Sequence, residues 1–322
     1  MTTGTSNRLG SGEYTYEAEI GWEKIPAGYD FQDSPGVAVD SKDNVYILNR
    51  GPHPVIVLDK DGNFLRSWGE GEFDRRAHGI HCSPDDFIFT VNDNQHCVKK
   101  WTTDGKLMMT LGTQGQPTEK WGGSPFNTPT NVGVSPVSGD IYVTDGYGNS
   151  RVHRYDSEGK HIVSWGAPGS EPGEFAIPHN VVIDREERVF VTDRENSRLQ
   201  VFDNKGNLLD MWHDIHRPQG LCIGRDEEGL VYIGEHRMQP ELIDCLIVGH
   251  RVHVYNRNGE RLQRLGDPMI GDGPTQFVAP HGLGVDSKGN LYVGEVSTSV
   301  WGRRQEPPQI LKSFKKLRRI SG

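Results

Sequence analysis

The sequence predicts an all-β chain folded as a six-bladed β-propeller, and three observations carry that expectation. A unit of about 40 residues recurs, and self-similarity at that period is the signature of propeller blades. Each unit holds short segments of alternating apolar and polar residues joined by Asp-Gly, Asn-Gly or Lys-Gly-Asn turns, the pattern of antiparallel strands closed by tight hairpins. Glycine is abundant (40 residues) and proline frequent (19) while apolar residues make up only 34%, which suits many short strands separated by positive-φ turns.

The units run in order through one expected domain over residues 1–322, with blades at 34–74, 75–115, 128–166, 177–215, 217–266 and 279–322. Blade one contains SPGVAVDSKDNVYILN, blade two AHGIHCSPDDFIFTVN, blade three PTNVGVSPVSGDIYVTD and blade four PHNVVIDREERVFVTD. Blade five opens PQGLCIGRDEEGLVYIGEH and is interrupted by an insertion before HRVHVYNRNGERLQRLG. Blade six opens PHGLGVDSKGNLYVGEV and has a third strand available at 310–320 but no fourth after it. The alternating segment YTYEAEIGWEKI at 14–25 is expected to supply that strand, closing the ring by pairing the two ends of the chain. The basic run KSFKKLRR at 312–319 reads as a solvated edge strand.

A net charge of −9 argues against a nucleic-acid surface, because phosphate binding needs clustered Lys and Arg. No stretch approaches the ~20 apolar residues of a membrane span. The four cysteines, Cys82, Cys97, Cys222 and Cys245, form no C-x-x-C pair, and the first residues lack a signal-peptide core. A cytoplasmic protein acting on a small molecule is expected.

Aligning the start of each blade's first strand gives one slot, filled by Gly36, His78, Thr130, His179, Gln219 and His281. The histidines alternate, 101 and 102 residues apart. Alternate blades of a six-fold ring sit about 120° apart, so the three imidazoles converge on the axis. Three neutral imidazoles with an open position suit a catalytic zinc ion; iron or another first-row metal accepts the same set. His53, His96 and His250 share a second slot and read as turn or surface residues. The remaining histidines follow no pattern.

The loops after each second strand emerge on the same face, and there Arg50, Tyr147 and Arg194 replace the small residues such loops favour. A phenol beside a dication and guanidiniums suits a proton acceptor, and guanidiniums suit a substrate carboxylate. Asp145 and Asp193, which precede these residues in two loops, read as turn-makers bonding their own backbone.

The pieces DGYGNSRV (145–152) and PHNVVI…VTDRENSRLQVF (178–202), with AHGI in blade two and PHGL in blade six, resemble the peptidyl-α-hydroxyglycine α-amidating lyases, NHL-type six-bladed propellers. The resemblance implies zinc on His78, His179 and His281, Tyr147 as base, and Arg50 and Arg194 lining the site. It implies cleavage of the C–N bond of a carbinolamide into an amide and glyoxylate. Three positions depart from the family: Ala279 stands for a substrate-packing Met, Gly282 for an Asp of a structural calcium site, and Gly148 for a disulfide Cys. A structural calcium is therefore not carried over. The function expected is a metal-dependent lyase acting on a small α-hydroxylated amide that bears a carboxylate. The alternatives are a metal-dependent hydrolase or hydratase using metal-bound water, and a non-enzymatic propeller that binds a protein partner.

Overall fold

The fold is described by a computed structural model covering residues 7–237 and 249–320. Cys245 and most of the blade-five insertion lie outside the described residues. Six antiparallel sheets stand around an axis. From the inside outwards, blade one is Gly36–Val39, Val45–Leu48, Val55–Leu58 and Phe64–Trp68; blade two is Ala77–Cys82, Ile88–Asn92, Cys97–Trp101 and Leu107–Leu111. Blade three is Asn131–Val134, Ile141–Asp145, Arg151–Tyr155 and His161–Trp165; blade four is Pro178–Ile183, Val189–Asp193, Arg198–Phe202 and Leu208–Trp212. Blade five is Pro218–Ile223, Val231–Glu235, Val252–Tyr255 and Arg261–Leu265. Blade six is Pro280–Val285, Leu291–Glu295, Phe314–Ile320 and then Thr15–Ala18, with Arg8–Leu9 as a fifth, outermost strand. The inner strands neighbour one another in a closed cycle. Among the described residues, no helix is long and apolar enough to cross a membrane.

The predicted closure is present. Thr15–Ala18 pairs antiparallel with Phe314–Ile320, placing Ala18 opposite Leu317 and Thr15 opposite Ile320. The basic run is therefore an interior strand, not a solvated edge. Phe314 and Leu317 are fully buried, and Lys315 and Lys316 are buried beside them. Lys315 Nζ lies 3.1 Å from Glu295 Oε1 and Lys316 Nζ 2.9 Å from Glu19 Oε2. Their stems cover apolar surface while the ammonium groups are paired, which is how a lysine-rich strand survives inside a sheet.

Turn chemistry sets the strands and locks the blades together. Asp40, Asp184 and Asp286 each end an inner strand, and one carboxylate oxygen accepts two backbone N–H groups of the following hairpin. The left-handed position of the first two hairpins is a non-glycine residue, Asp43 (φ 61°) and Glu187 (φ 61°). Both acidic side chains bond serines of the preceding blade: Asp43 accepts from Ser287 N–H and Oγ, and Glu187 from Ser135 and Ser138. These bonds offset the strain of the backbone there.

Apolar cores fill the spaces between blades; Leu48, Val55 and Trp68 of blade one pack with Ala77, Ile80, Ile88 and Trp101 of blade two. Each fully buried large side chain contributes about 1.5–3 kcal/mol. The glycine of the outermost hairpin has two reasons to be glycine. At Gly105, Gly206 and Gly259 φ is 84–88°, and a Cβ would come within 2.5–2.7 Å of Trp68, Trp165 or Trp212 of the preceding blade. The hairpin backbone lies flat on that indole, so each Asp-Gly-type turn is also an inter-blade contact.

Candidate metal centre

His78, His179 and His281 are each the second residue of an inner strand, and each is the extra residue of a β-bulge. Pro178 pairs with Asp193 while Asn180 pairs with Thr192, skipping His179; Ala77/Gly79 and Pro280/Gly282 repeat the pattern. A bulge re-aims one side chain without ending the strand, and here it turns the imidazole to the axis. The approach to each bulge is pinned from the second strand. Asp193 accepts from Ala176 N–H (2.8 Å), Glu295 from Val278 and Ala279 N–H (2.6 and 2.9 Å), and Asn92 donates to Asp74 (3.0 Å). Asp145 likewise accepts from Asn127 and Thr128 N–H, both at 2.8 Å. Asp145 and Asp193 thus hold the incoming inter-blade loop as well as their own turn, more than the local role expected of them.

The three imidazoles meet with ring centroids 4.7–4.9 Å apart, and their ligand atoms lie within 4.8 Å of one another. Each Nδ1 bonds a backbone carbonyl of the next blade: His78 to Thr130 (2.7 Å), His179 to Gln219 (3.0 Å) and His281 to Pro35 (2.6 Å). That bond assigns the proton to Nδ1 and leaves Nε2 as the lone-pair nitrogen facing the axis. Burial holds all three neutral. His78 and His179 lie well below the usual imidazole range, with neighbouring His281 and Arg194 adding to the effect, and His281 is pushed down to about 3 by burial and Arg50. Three neutral, oriented acceptors within bonding span of one ion fit zinc or another first-row divalent metal.

Tyr147, Arg50 and Arg194 are brought to this centre. Tyr147 Oη lies 2.9 Å from His78 Nε2 and 3.2 Å from His179 Nε2. Its loop is clamped: a Cβ at Gly146 would sit 2.1 Å from Pro178 O, and one at Gly148 1.8 Å from Asn127 Oδ1. A cysteine at 148 has no room there. Arg194 donates from Nε to Glu195 (2.7 Å) and from Nη1 to Tyr147 Oη (3.2 Å). Arg50 donates from Nε to Ala77 O (3.0 Å), the carbonyl preceding His78, and burial lowers its pKa despite nearby Asp33.

Three further groups join them that the slot alignment does not single out. Arg76 lies over the Tyr147 ring at 5.9 Å and is held bidentately by buried Asp93. Arg217 grips Glu195 with two bonds of 3.0 and 2.7 Å. His236 is held well below its usual pKa by burial, with Arg194 next in effect. The doubled arginine before AHGI was the available signal for Arg76. Of the second histidine set, His96 and His250 are in left-handed turns (φ 56° and 47°), but His250 is buried. His53 stacks on Tyr29 at 3.7 Å.

The two remaining departures have physical readings. Ala279 is fully buried against Val278, Val296 and Leu311. A Cβ at Gly282 would come 2.5 Å from Gly36 Cα and 2.7 Å from Val37 N, so blade one occupies the place of any side chain at 282. These residues do not fit a calcium ligand at that position.

The NHL repeat family matches residues 126–155 and 175–202, in blades three and four. Human NHL repeat-containing protein 3 is 30% identical over 305 residues, covering 87% of this chain and 81% of that protein. The chain belongs to the NHL-repeat family. Peptidyl-alpha-hydroxyglycine alpha-amidating lyase 1 of Drosophila melanogaster is 28% identical to this NHL protein over 282 residues, 80% of this chain and 50% of the relative. A solved structure of a streptogramin B lyase superposes with a TM-score of 0.60 over 95% of this chain and 99% of its own, at 14% identity, a likeness of fold alone.

Proposed function

We propose that this NHL propeller is a metal-dependent lyase that cleaves the C–N bond of a small α-hydroxylated amide carrying a carboxylate. The observation that carries the reading is the placement of Tyr147 Oη between His78 Nε2 and His179 Nε2 with Arg194 donating to the same oxygen. Similarity to the Drosophila amidating lyase supports the reaction class. His78, His179 and His281 would hold the metal, zinc or another first-row divalent ion, which supplies a Lewis acid for the substrate oxygen.

The chain's own groups account for the remaining steps. Arg50 and Arg194, both largely buried, bind the substrate carboxylate, where desolvation strengthens a charge-assisted pair. Tyr147 Oη accepts the proton of the substrate hydroxyl. The C–O bond becomes C=O, the C–N electron pair leaves on the amide nitrogen, and that nitrogen takes the proton back from Tyr147. The products are an amide and glyoxylate, with atoms and charge balanced and no water consumed. Arg194 fixes Oη by its hydrogen bond, and Arg76 covers the outer face of the ring. A hydrolase would place a carboxylate base beside the metal; among the described residues the only tight cluster of metal-binding side chains is the three histidines. The free, buried thiols of Cys82, Cys97 and Cys222 fit a reducing compartment, in line with a cytoplasmic protein.

The test is metal content and glyoxylate release from α-hydroxyhippurate by the purified protein. Wild type is expected to carry one metal ion and turn over; His179→Ala is expected to lose both, and Tyr147→Phe only turnover. Metal-loaded wild type that releases no glyoxylate from any N-acyl-α-hydroxyglycine would sink this reading and favour a propeller that binds a protein partner without turnover.

A further inference from the structure

Below the histidines, the channel widens into a cavity of about 370 Å³ that opens on the opposite face. None of the three histidines lines it, although their chain neighbours Asn180 and Gly282 do, at its inner end. Its wall is apolar, formed by inner-strand residues such as Val37, Ile80, Val134, Ile183 and Leu283. The volume falls within the usual range for small-molecule sites, which are mostly apolar with few polar groups.

Two carboxylates line the cavity at its outer end, Asp184, which is paired with Arg188, and Asp226, which accepts from Gly229 N–H (2.9 Å); the other polar side chains there offer donors. Asn180, 5% exposed, uses Oδ1 to accept from Val181 N–H (2.8 Å), and Asn131 does the same with Val132 N–H (2.8 Å). Both side chains line the inner end of the bore, and neither Nδ2 has a partner among the described residues. His81 Nε2 accepts from Val134 N–H (3.2 Å), which leaves the proton on Nδ1. At the mouth stand Arg225 and Arg185. Arg225 donates to Asp40 O (2.9 Å) and Val39 O, and Arg185 to Arg225 O (2.6 Å). Carbonyls satisfy these hydrogen bonds without neutralising charge. The neighbouring arginines differ: Arg188 pairs with Asp184 and Arg257 with Glu186. Arg185 and Arg225 form no ion pair among the described residues, and of the two carboxylates lining the cavity Asp184 is already paired with Arg188; two guanidiniums so placed at the entrance of an apolar bore, in a chain of net charge −9, match an anion with an apolar body. Burial raises the Cys82 thiol to about 12 and lowers His81 to about 4, as a low-dielectric bore requires.

We propose that this bore is a second binding site, for an amphipathic carboxylate: an acyl chain lies in the channel with its carboxylate on Arg225 and Arg185. Asn180 and Arg185 stand at opposite ends of the same wall: Asn180–Ile183 rises about 10 Å and the turn that carries Arg185 follows it, a depth suited to a chain of about ten carbons. An acceptor atom at the far end of the chain would meet the two carboxamides.

The experiment is calorimetric titration of metal-loaded protein with decanoate, 10-hydroxydecanoate and decanol, with thermal melts alongside. Decanoate is expected to bind one per chain and raise Tm, 10-hydroxydecanoate to bind more tightly, and decanol at least tenfold more weakly. Arg185→Gln/Arg225→Gln, altered only on the exposed rim, is expected to fold and to lose tenfold or more in decanoate affinity. His179→Ala is expected to bind decanoate as wild type does, which separates this site from the proposed lyase centre. Absence of decanoate binding at millimolar concentration would overturn the proposal. So would equal binding by the double variant, a lowered Tm, or displacement of decanoate by α-hydroxyhippurate.

Discussion

Gly282→Asp restores the acidic residue that the amidating lyases carry beside their third metal-binding histidine, and it is expected to damage this protein rather than give it a calcium site. The first atom of the new side chain would meet Gly36 Cα at 2.5 Å, Gly36 C at 2.7 Å and Val37 N at 2.7 Å. All three are backbone atoms, so no rotamer change relieves the clash; blades six and one must move apart. Overpacking of this kind costs about 1–3 kcal/mol. A carboxylate without a cation partner adds several kcal/mol more. Gly282→Ala isolates the first cost. At about 2 °C per kcal/mol for a chain of this size, the alanine variant should melt roughly 2–6 °C below wild type and the aspartate variant about 10 °C below. The assay is a thermal melt of metal-loaded wild type and both variants with and without 2 mM added calcium, a concentration of roughly that order being saturating for the weaker extracellular-type sites. Calcium should change none of the three curves. A Gly282→Asp protein that melts with wild type, or that calcium selectively stabilises, would refute the reasoning from the Gly36 contact.

Other consequences are as direct. Tyr147→Phe should lower kcat for glyoxylate release by about 10²–10⁴-fold, the usual span for a proton-transfer group, with metal content retained; a smaller loss removes Tyr147 from the chemistry. Gly206→Ala places a Cβ 2.7 Å from the Trp165 ring at φ 88° and should cost about 2–4 kcal/mol, read by denaturant melts; a neutral result would show that the hairpin does not lie on the indole as described. Acid should destabilise the fold through His81 and His250, each held near 4 when folded. The unfolded chain binds their protons near pH 6.5, so stability falls as pH drops from about 6.5 to 4, by about 2–3 kcal/mol per histidine, and is flat above 7. Replacing His81 with Gln should remove its share of that slope; an unchanged slope rules the residue out.

The repeat made the fold legible because turn chemistry recurs: Asp40, Asp184 and Asp286 close inner hairpins by bonding their own backbone, and Gly105, Gly206 and Gly259 close outer ones against the indole of the preceding blade. The alternating histidines were legible for the same reason, since one slot in every blade faces the axis. What failed was anything set by a particular partner that the repeat pattern does not pair. The run from Lys312 to Arg319 reads alike as a solvated edge and as an interior strand, and only Glu295 of the adjacent strand and Glu19, near the other end of the chain, decide between them. Arg76 precedes the slot where inter-blade loops differ in length, so no alignment of blades predicts its place over Tyr147. His250 sits in a turn, as expected, yet the blade packs around it.

The three Nδ1 bonds run from blade two to three, four to five and six to one. Every blade therefore gives the centre either an imidazole or the carbonyl that steers one. On the proposed reading the three-histidine centre would act as a gauge of the hoop: slackening between blades would rotate a ligand before it unfolded a strand. Because His281 is steered across the seam that Thr15–Ala18 closes, trimming that strand should loosen metal retention first and the melting curve afterwards. Affinity at the axis would then report on a joint at the rim.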